Sequence, residues 1–415
     1  MKVFKLSLFA GLVCTSNAWS AAYKVPEQSL NATALSAAYV ANANGADSTY
    51  YNPAAMVFNQ DRSQLEASVT LIHLPEIDFS GTADTALGRA VISGDSSKIE
   101  NFIVPTFHYV SPAVDRARFG LSVVAPAGLS KRWKDGAQAF SEEFTLKTVE
   151  INPTAAYQLA DNFSIGGGLR AVYSDGVVKS TFNTSLPGQP VLSRDLEGDS
   201  WDFGYNLALH FKPSDTLSLA ATYRSRVDLT VEGDAELSFA GIPYDGPASV
   251  EVPIPAALNL AAAFEVSPKT TVELNYERTY WSSYKELDFN YPTTLPHPVL
   301  VASFDTPQAR DYKDSNTWRI GLTHQYDDEL KLMAGFAYDE TPVPSETLGF
   351  ELPDSDAYVY SFGAEYKMDD NMSIGGALLY SDKDSRSVDQ TPPGITGEFK
   401  GAGAYLLTLA LKYNF

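Results

Sequence analysis

The sequence predicts a transmembrane antiparallel β-barrel of about fourteen strands, closed around an N-terminal plug that contains short helices. Three observations carry this. The chain opens with an export signal, its remainder holds no run of 18 or more apolar residues that could cross a bilayer as a helix, and its strongest periodicity is two. The composition agrees: 23 Tyr, 22 Phe, 28 Gly and 24 Pro accompany 20% charged residues, and the mean hydropathy is slightly negative. Strands with one face to lipid and one to a polar lumen have this balance.

Residues 1–20 read as a signal peptide. Lys2 and Lys5 flank the short apolar run Leu6 to Val13, and Ala18-Trp19-Ser20 offers a small-residue cleavage site, so the mature chain would begin at Ala21. Cys14, the one cysteine, lies in this segment after Val13, which is not the small residue a lipoprotein signal wants there. The mature chain is therefore expected to lack disulfides and thiol chemistry.

Residues 21–61 lack period two. Ala34, Ala37, Ala38, Ala41 and Ala43 form a small-residue stretch before Gly45, which predicts a helix from Ser29 or Asn31 to Gly45. Few charges and several aromatics favour burial over a disordered tail. This segment is expected to be a plug inside a barrel formed by residues 62–415.

In the barrel region Tyr405, Leu407, Leu409, Leu411, Tyr413 and Phe415 alternate with Thr408, Ala410, Lys412 and Asn414, giving an apolar stripe for lipid and a polar one for the lumen. Trp318, Ile320, Leu322 and Tyr326 repeat the pattern, as do Tyr358, Tyr360, Phe362, Ala364 and Tyr366. A fourth stripe comprises Leu217, Leu219, Ala221, Tyr223, Val227, Leu229 and Val231. On the lipid side Arg224, Arg226 and Arg319 would each cost roughly 2–4 kcal/mol at the midplane, so all three are expected to face inward. Short turns are predicted near 112–115, 160–162, 213–215, 268–269, 327–329 and 369–371. Long connections are predicted near 75–99, 127–142, 182–199, 233–250, 291–311, 340–356 and 383–398. These join fourteen strands if 270–290 is one long strand bent at Trp281-Ser282.

Several local features together resemble one family, the FadL/TodX outer-membrane transporters of long-chain fatty acids and aromatic hydrocarbons. They are Asn52-Pro53-Ala54, Phe119-Gly120-Leu121, Pro126-Ala127-Gly128-Leu129, Trp201-Asp202-Phe203-Gly204, Thr222-Tyr223-Arg224-Ser225, Trp318-Arg319-Ile320 and Pro342-Val343-Pro344. The resemblance spans essentially the whole mature chain. It implies an outer-membrane, monomeric barrel with a hatch bearing Asn52, Pro53 and Ala54, and a capture site among extracellular loops. It also implies an inner site beside the hatch and lateral release near the third strand, where Gly120, Pro126 and Gly128 fall. Proline deletes a ladder hydrogen bond and glycine weakens a strand, which gives an opening there a mechanism.

The implied cargo is a long-chain fatty acid, with aromatic or alkane hydrocarbons as the alternative. Each buried CH₂ gains roughly 0.8 kcal/mol, so a dry groove extracts an acyl chain from water. Its carboxylate requires a cation. The resemblance implies that Tyr23 contacts the chain. For the carboxylate it implies Lys313, with Ser315 an equally literal alignment. Its second basic position falls on Asp175, and Lys179 lies on the same face four residues on. Arg319 and Arg224 are lumen-facing alternatives that could equally belong to structural networks. Phe415 resembles the terminal signal read by barrel-assembly machinery, and lipid and lipopolysaccharide would surround the wall.

Other classes fit less well. The net charge of −21 becomes −23 without Lys2 and Lys5, which argues against nucleic acid. His73, His108, His210, His297 and His324 show no metal-ligand spacing, and no hydrolase or nucleotide-binding motif is present, so neither enzyme activity nor a cofactor is expected. A general diffusion porin would need an open lumen, which the 21–61 segment opposes. A rim Ser/His hydrolase would need groups that only a fold could bring together.

Overall fold

The computed structural model describes residues 22–85, 88–182, 191–391 and 394–415; the predicted signal peptide, with Cys14, lies outside the described residues. The wall is a closed antiparallel barrel of fourteen strands. These are β1 (Gln64–Leu74), β2 (Glu100–Val110), β3 (Ala117–Val124, continued by Gly128–Lys131), β4 (Glu143–Ala160), β5 (Phe163–Phe182), β6 (Leu192–Ser214) and β7 (Leu217–Arg224, continued by Val227–Phe239). They continue with β8 (Ile242–Ile254 and Ala257–Ser267), β9 (Thr270–Thr279), β10 (Ser315–Gln325), β11 (Leu330–Asp339), β12 (Ala357–Lys367), β13 (Met372–Lys383) and β14 (Gly403–Asn414). β1 closes the ring, pairing with β14 from Gln64↔Asn414 to His73↔Tyr405 and with β2 from Gln64↔Val110 to Leu74↔Glu100.

The period-two stripes explain which face is which. Tyr405, Leu407, Leu409 and Leu411 are exposed on the outer wall, while Thr408 and Ala410 between them are buried. Trp318, Ile320 and Leu322 likewise face out, with Thr317 and Arg319 turned into the lumen. Six tight turns close one end, at the positions expected. Barrels of this kind place such turns in the periplasm and their long connections outside the cell.

Three expectations are corrected. β9 ends at Thr279, and a 3₁₀ turn, Trp281–Ser283, replaces the long bent strand over 270–290. The reason is the Trp281 side chain, which is fully buried and packs edge-on against Tyr23 at 4.8 Å between centroids. Next, the stripe through β7 does not stay on one face. Register between β6 and β7 shifts by one residue between the Arg224↔Asn206 and Glu232↔Asp199 pairs, so the strand bulges at Ser225-Arg226. Beyond the bulge Val227, Leu229 and Val231 turn inward and are buried, whereas Asp228 and Glu232 are exposed. Arg226 therefore does not join Arg224 in the lumen; it pairs outside with Asp228 and with Glu251 at 3.3 Å. β8 makes the same change between Ile254 and Ala257, so above the membrane this hairpin has a water-facing exterior and an apolar interior.

The third correction concerns residues 22–58, which lie inside the barrel. The helix α1 covers only Leu30–Ala34, with the Ser29 hydroxyl accepting from the Ala32 N–H at 3.2 Å. It stops because Ser36 and Ala37 take positive φ, 48° and 60°, as the chain turns along the wall at Gly335. A Cβ there would lie 2.1 Å from the Leu35 carbonyl carbon, so glycine is required for this approach. A second helix, α2 (Ser48–Tyr51), runs into the 3₁₀ turn Pro53–Phe58.

Candidate binding site

At the long-loop end the inward-turned apolar faces of β4 to β8 enclose a cavity with about 760 Å³ of atom-free space, its open mouth included. Small-molecule sites are usually apolar concavities with a few fixed polar groups, and this one has both. Leu146, Val178, Leu196, Val231 and Val252 form its walls, and Phe289 and Leu287 come from the loop after β9. The β7–β8 bulge makes this wall greasy. Without the parity change, Val231 would face out and Glu232 in.

The polar end is built by the same loop. Arg310 is 5% exposed, pairs with Glu351 at 2.9 Å and lines the cavity beside Tyr284 and Tyr312, whose rings meet at 5.1 Å. Burial pushes the Tyr312 hydroxyl pKa well above the usual phenol value, with Arg310 opposing, so it stays a neutral donor at pH 7. Burial pulls the Arg310 pKa down, but Glu351 and the two tyrosines more than reverse this and keep it charged. Tyr23 also lines the cavity; its hydroxyl donates to the Pro253 carbonyl at 2.6 Å.

Tyr23 belongs to a segment that substitutes for missing wall. The upper half of β2, above Phe107, has no ladder partner on β3, because pairing runs only from Phe107↔Val123 to Val110↔Gly120. Pro126 interrupts β3 there, and residues 23–28 pair with the break from inside. The Val25 N–H donates to the Pro126 carbonyl at 2.9 Å, and the Gly128 N–H donates to the Tyr23 carbonyl at 2.7 Å. The Gln28 side chain completes this patch. Its amide nitrogen donates to the Ala125 carbonyl at 2.7 Å, and its oxygen accepts the Ala125 N–H at 2.8 Å. Gly120, lower on β3, admits the plug: a Cβ there would lie 2.2 Å from the Thr49 hydroxyl.

Lumen carboxylates hold the rest of the segment. Glu273 accepts the N–H groups of Val40, Ala41 and Asn42 at 2.6, 3.1 and 2.7 Å. Lys24 pairs with Glu277, which Arg319 also reaches at 3.4 Å. Asn52 bonds the Val40 carbonyl at 2.9 Å and His210 at 3.1 Å. Ser164 donates to the Ala54 carbonyl at 2.7 Å, and a Cβ on Gly166 would strike the Pro53-Ala54 backbone.

Of the residues singled out by sequence for ligand binding, only Tyr23 lines this cavity. The Lys313 side chain is exposed, and its backbone N–H donates to Pro342 at 2.9 Å. Lys179 pairs with Asp195 at 2.7 Å, and Asp175 with Lys147 at 3.5 Å. Arg224 pairs with Glu150 and sits 4.2 Å from the Tyr50 ring centroid, so it braces the plug. Arg319 lies deeper, beside Glu27 and Asp339. Sequence reading missed Arg310, since it sits in an irregular loop with no periodicity to mark its direction. Among the described residues no three His, Cys, Asp or Glu side chains gather as a metal site.

The chain is 26% identical over 465 residues to the "Long-chain fatty acid transport protein" of Escherichia coli K12, covering 99% of this chain and 98% of that one. It is 25% identical to "Outer membrane protein P1" of Haemophilus influenzae over the full length of both. Among solved structures, a Pseudomonas aeruginosa FadL homologue superposes with a TM-score of 0.83 at 20% identity, covering 95% of this chain and 99% of that one. The Pseudomonas putida toluene transporter TodX gives 0.68 at 20% identity, covering 92% and 98%. The family model described as "Outer membrane protein transport protein (OMPP1/FadL/TodX)" matches residues 11–415, and the chain belongs to this family of outer-membrane β-barrel proteins.

Proposed function

We propose that this protein carries long-chain fatty acids passively across the outer membrane. The observation that carries the reading is one continuous arrangement: an apolar cavity with Arg310 at its polar end, floored by Tyr23, beside a wall gap that residues 23–28 fill. An acyl chain gains burial energy along Val178, Val231 and Val252, while Arg310 with the Tyr284 and Tyr312 hydroxyls receives the carboxylate. Residues 22–58 then act as a hatch. Withdrawal of Tyr23 to Gln28 from β3 opens the gap beside Pro126 and releases the ligand sideways into the bilayer, an exit that needs no aqueous pore. The wall presents itself to lipid and lipopolysaccharide as a monomer, and the exposed ring of the terminal Phe415 addresses the assembly machinery.

A second reading, transport of neutral hydrocarbons, is favoured by one feature: Glu351 already neutralises Arg310. Binding of palmitate and hexadecane to the purified barrel separates the two. Arg310→Met should weaken palmitate about tenfold or more, as expected for a lost charge-assisted hydrogen bond, and leave hexadecane unchanged. Palmitate binding should also fall as its carboxylate protonates at low pH. Saturable binding of hexadecane alone would transfer the function to hydrocarbons.

A further inference from the structure

Among the described residues, four of the five buried arginines have a carboxylate partner. Arg118 reaches Asp61 at 3.5 Å, Arg170 reaches Glu150 at 2.9 Å, Arg310 reaches Glu351 at 2.9 Å and Arg319 reaches Glu277 at 3.4 Å. Arg194 on β6, 8% exposed, pairs with no carboxylate, and its buried Nε has no hydrogen-bond partner. Its guanidinium instead lies 5.3 Å from the Phe289 ring centroid and 5.1 Å from that of Phe304. The Tyr291 hydroxyl, from the same long loop, is also buried without a partner.

An uncompensated buried charge is costly, and orphaned buried donors call for a partner that completes them. Ring stacking fixes the plane of the guanidinium and leaves its N–H fork unspent, the geometry that recognises a carboxylate. The position is also specific. Arg194 shares the buried face of β6 with Leu196, one strand step further from the membrane, and Leu196 lines the cavity. Phe289 belongs to both places, lining the cavity and stacking on Arg194.

We propose that Arg194, between Phe289 and Phe304 and with the Tyr291 hydroxyl, is an anion-recognition site at the outer end of the cavity. It receives the carboxylate of an amphiphile before the head group passes inward to Arg310. The inference rests on the fatty-acid reading. It adds that selection for acids begins at Arg194, ahead of the neutralised Arg310–Glu351 pair.

The test uses the whole barrel with Arg194→Met and Arg194→Lys, titrated with palmitate, hexadecanol and dodecyl phosphate. Palmitate affinity should fall about tenfold to a hundredfold in Arg194→Met and recover in part in Arg194→Lys, while hexadecanol is unchanged. Equal losses for palmitate and hexadecanol would show a packing role and overturn the proposal, as would unchanged palmitate affinity. Dependence of dodecyl phosphate alone on Arg194 would give the site to a phosphate-bearing lipid and overturn the carboxylate assignment. If the wild-type barrel bound hexadecanol but not palmitate, the fatty-acid reading itself would fail, before any variant is compared.

Discussion

Replacing Gln28 with leucine should detach residues 23–28 from the third strand. The Gln28 amide stands where a neighbouring strand would be, satisfying both backbone groups of Ala125, which is 1% exposed. It also donates to the Val25 carbonyl at 2.9 Å, tying the segment to itself. Leucine has similar bulk and neither donates nor accepts. Two buried backbone groups would lose their partners, at about 1–3 kcal/mol each. Water entering the break offsets part of this, and the lower end of the sum, about 2 kcal/mol, corresponds to a roughly thirtyfold larger open population. The backbone bonds of Val25 and Gly128 remain, so the barrel stays folded. Hydrogen–deuterium exchange of the peptide covering residues 120–130, in lipid nanodiscs, reads the effect directly. Exchange there should accelerate about thirtyfold, with the β9–β14 wall unaffected, and palmitate should leave the barrel for the bilayer faster. Unchanged exchange in a folded Gln28→Leu barrel would refute the claim that this side chain closes the gap.

Three further outcomes follow from the same geometry. Gly335→Val places atoms where the Leu35-Ser36 backbone runs and should displace α1, raising ion conductance in planar bilayers; a folded variant with an unchanged closed baseline would contradict this. Glu273→Gln replaces one of the two oxygens that collect the N–H groups of residues 40–42 with a donor. It should loosen residues 40–42 by about 1.5–3 kcal/mol, read as faster exchange or proteolysis of that segment. Lys313→Ala and Lys179→Ala alter exposed or partly exposed side chains outside the cavity lining and should shift palmitate affinity by no more than about twofold in equilibrium binding, within the usual surface effect.

The barrel was legible in the sequence because lipid imposes a strict rule on each strand. Tyr405 to Phe415, Trp318 to Leu322 and Tyr358 to Phe362 alternate as solvent on one side and bilayer on the other demand, and tight turns punctuate them. The break at Pro126 was legible for a similarly local reason, since proline removes a ladder donor wherever it stands. What only the tertiary structure decided was the direction of side chains once a local rule lapsed. A one-residue shift in pairing at Ser225-Arg226 sends Val231 inward and Arg226 out, and nothing in a period-two pattern marks where that slip occurs. The loop carrying Trp281, Phe289, Arg310 and Tyr312 has no period at all, so its residues meet Tyr23 and Arg194 only through the closed ring. Residues near the N-terminus pair with β3 about a hundred positions away for the same reason: the gap they fill exists only after the barrel has closed around them.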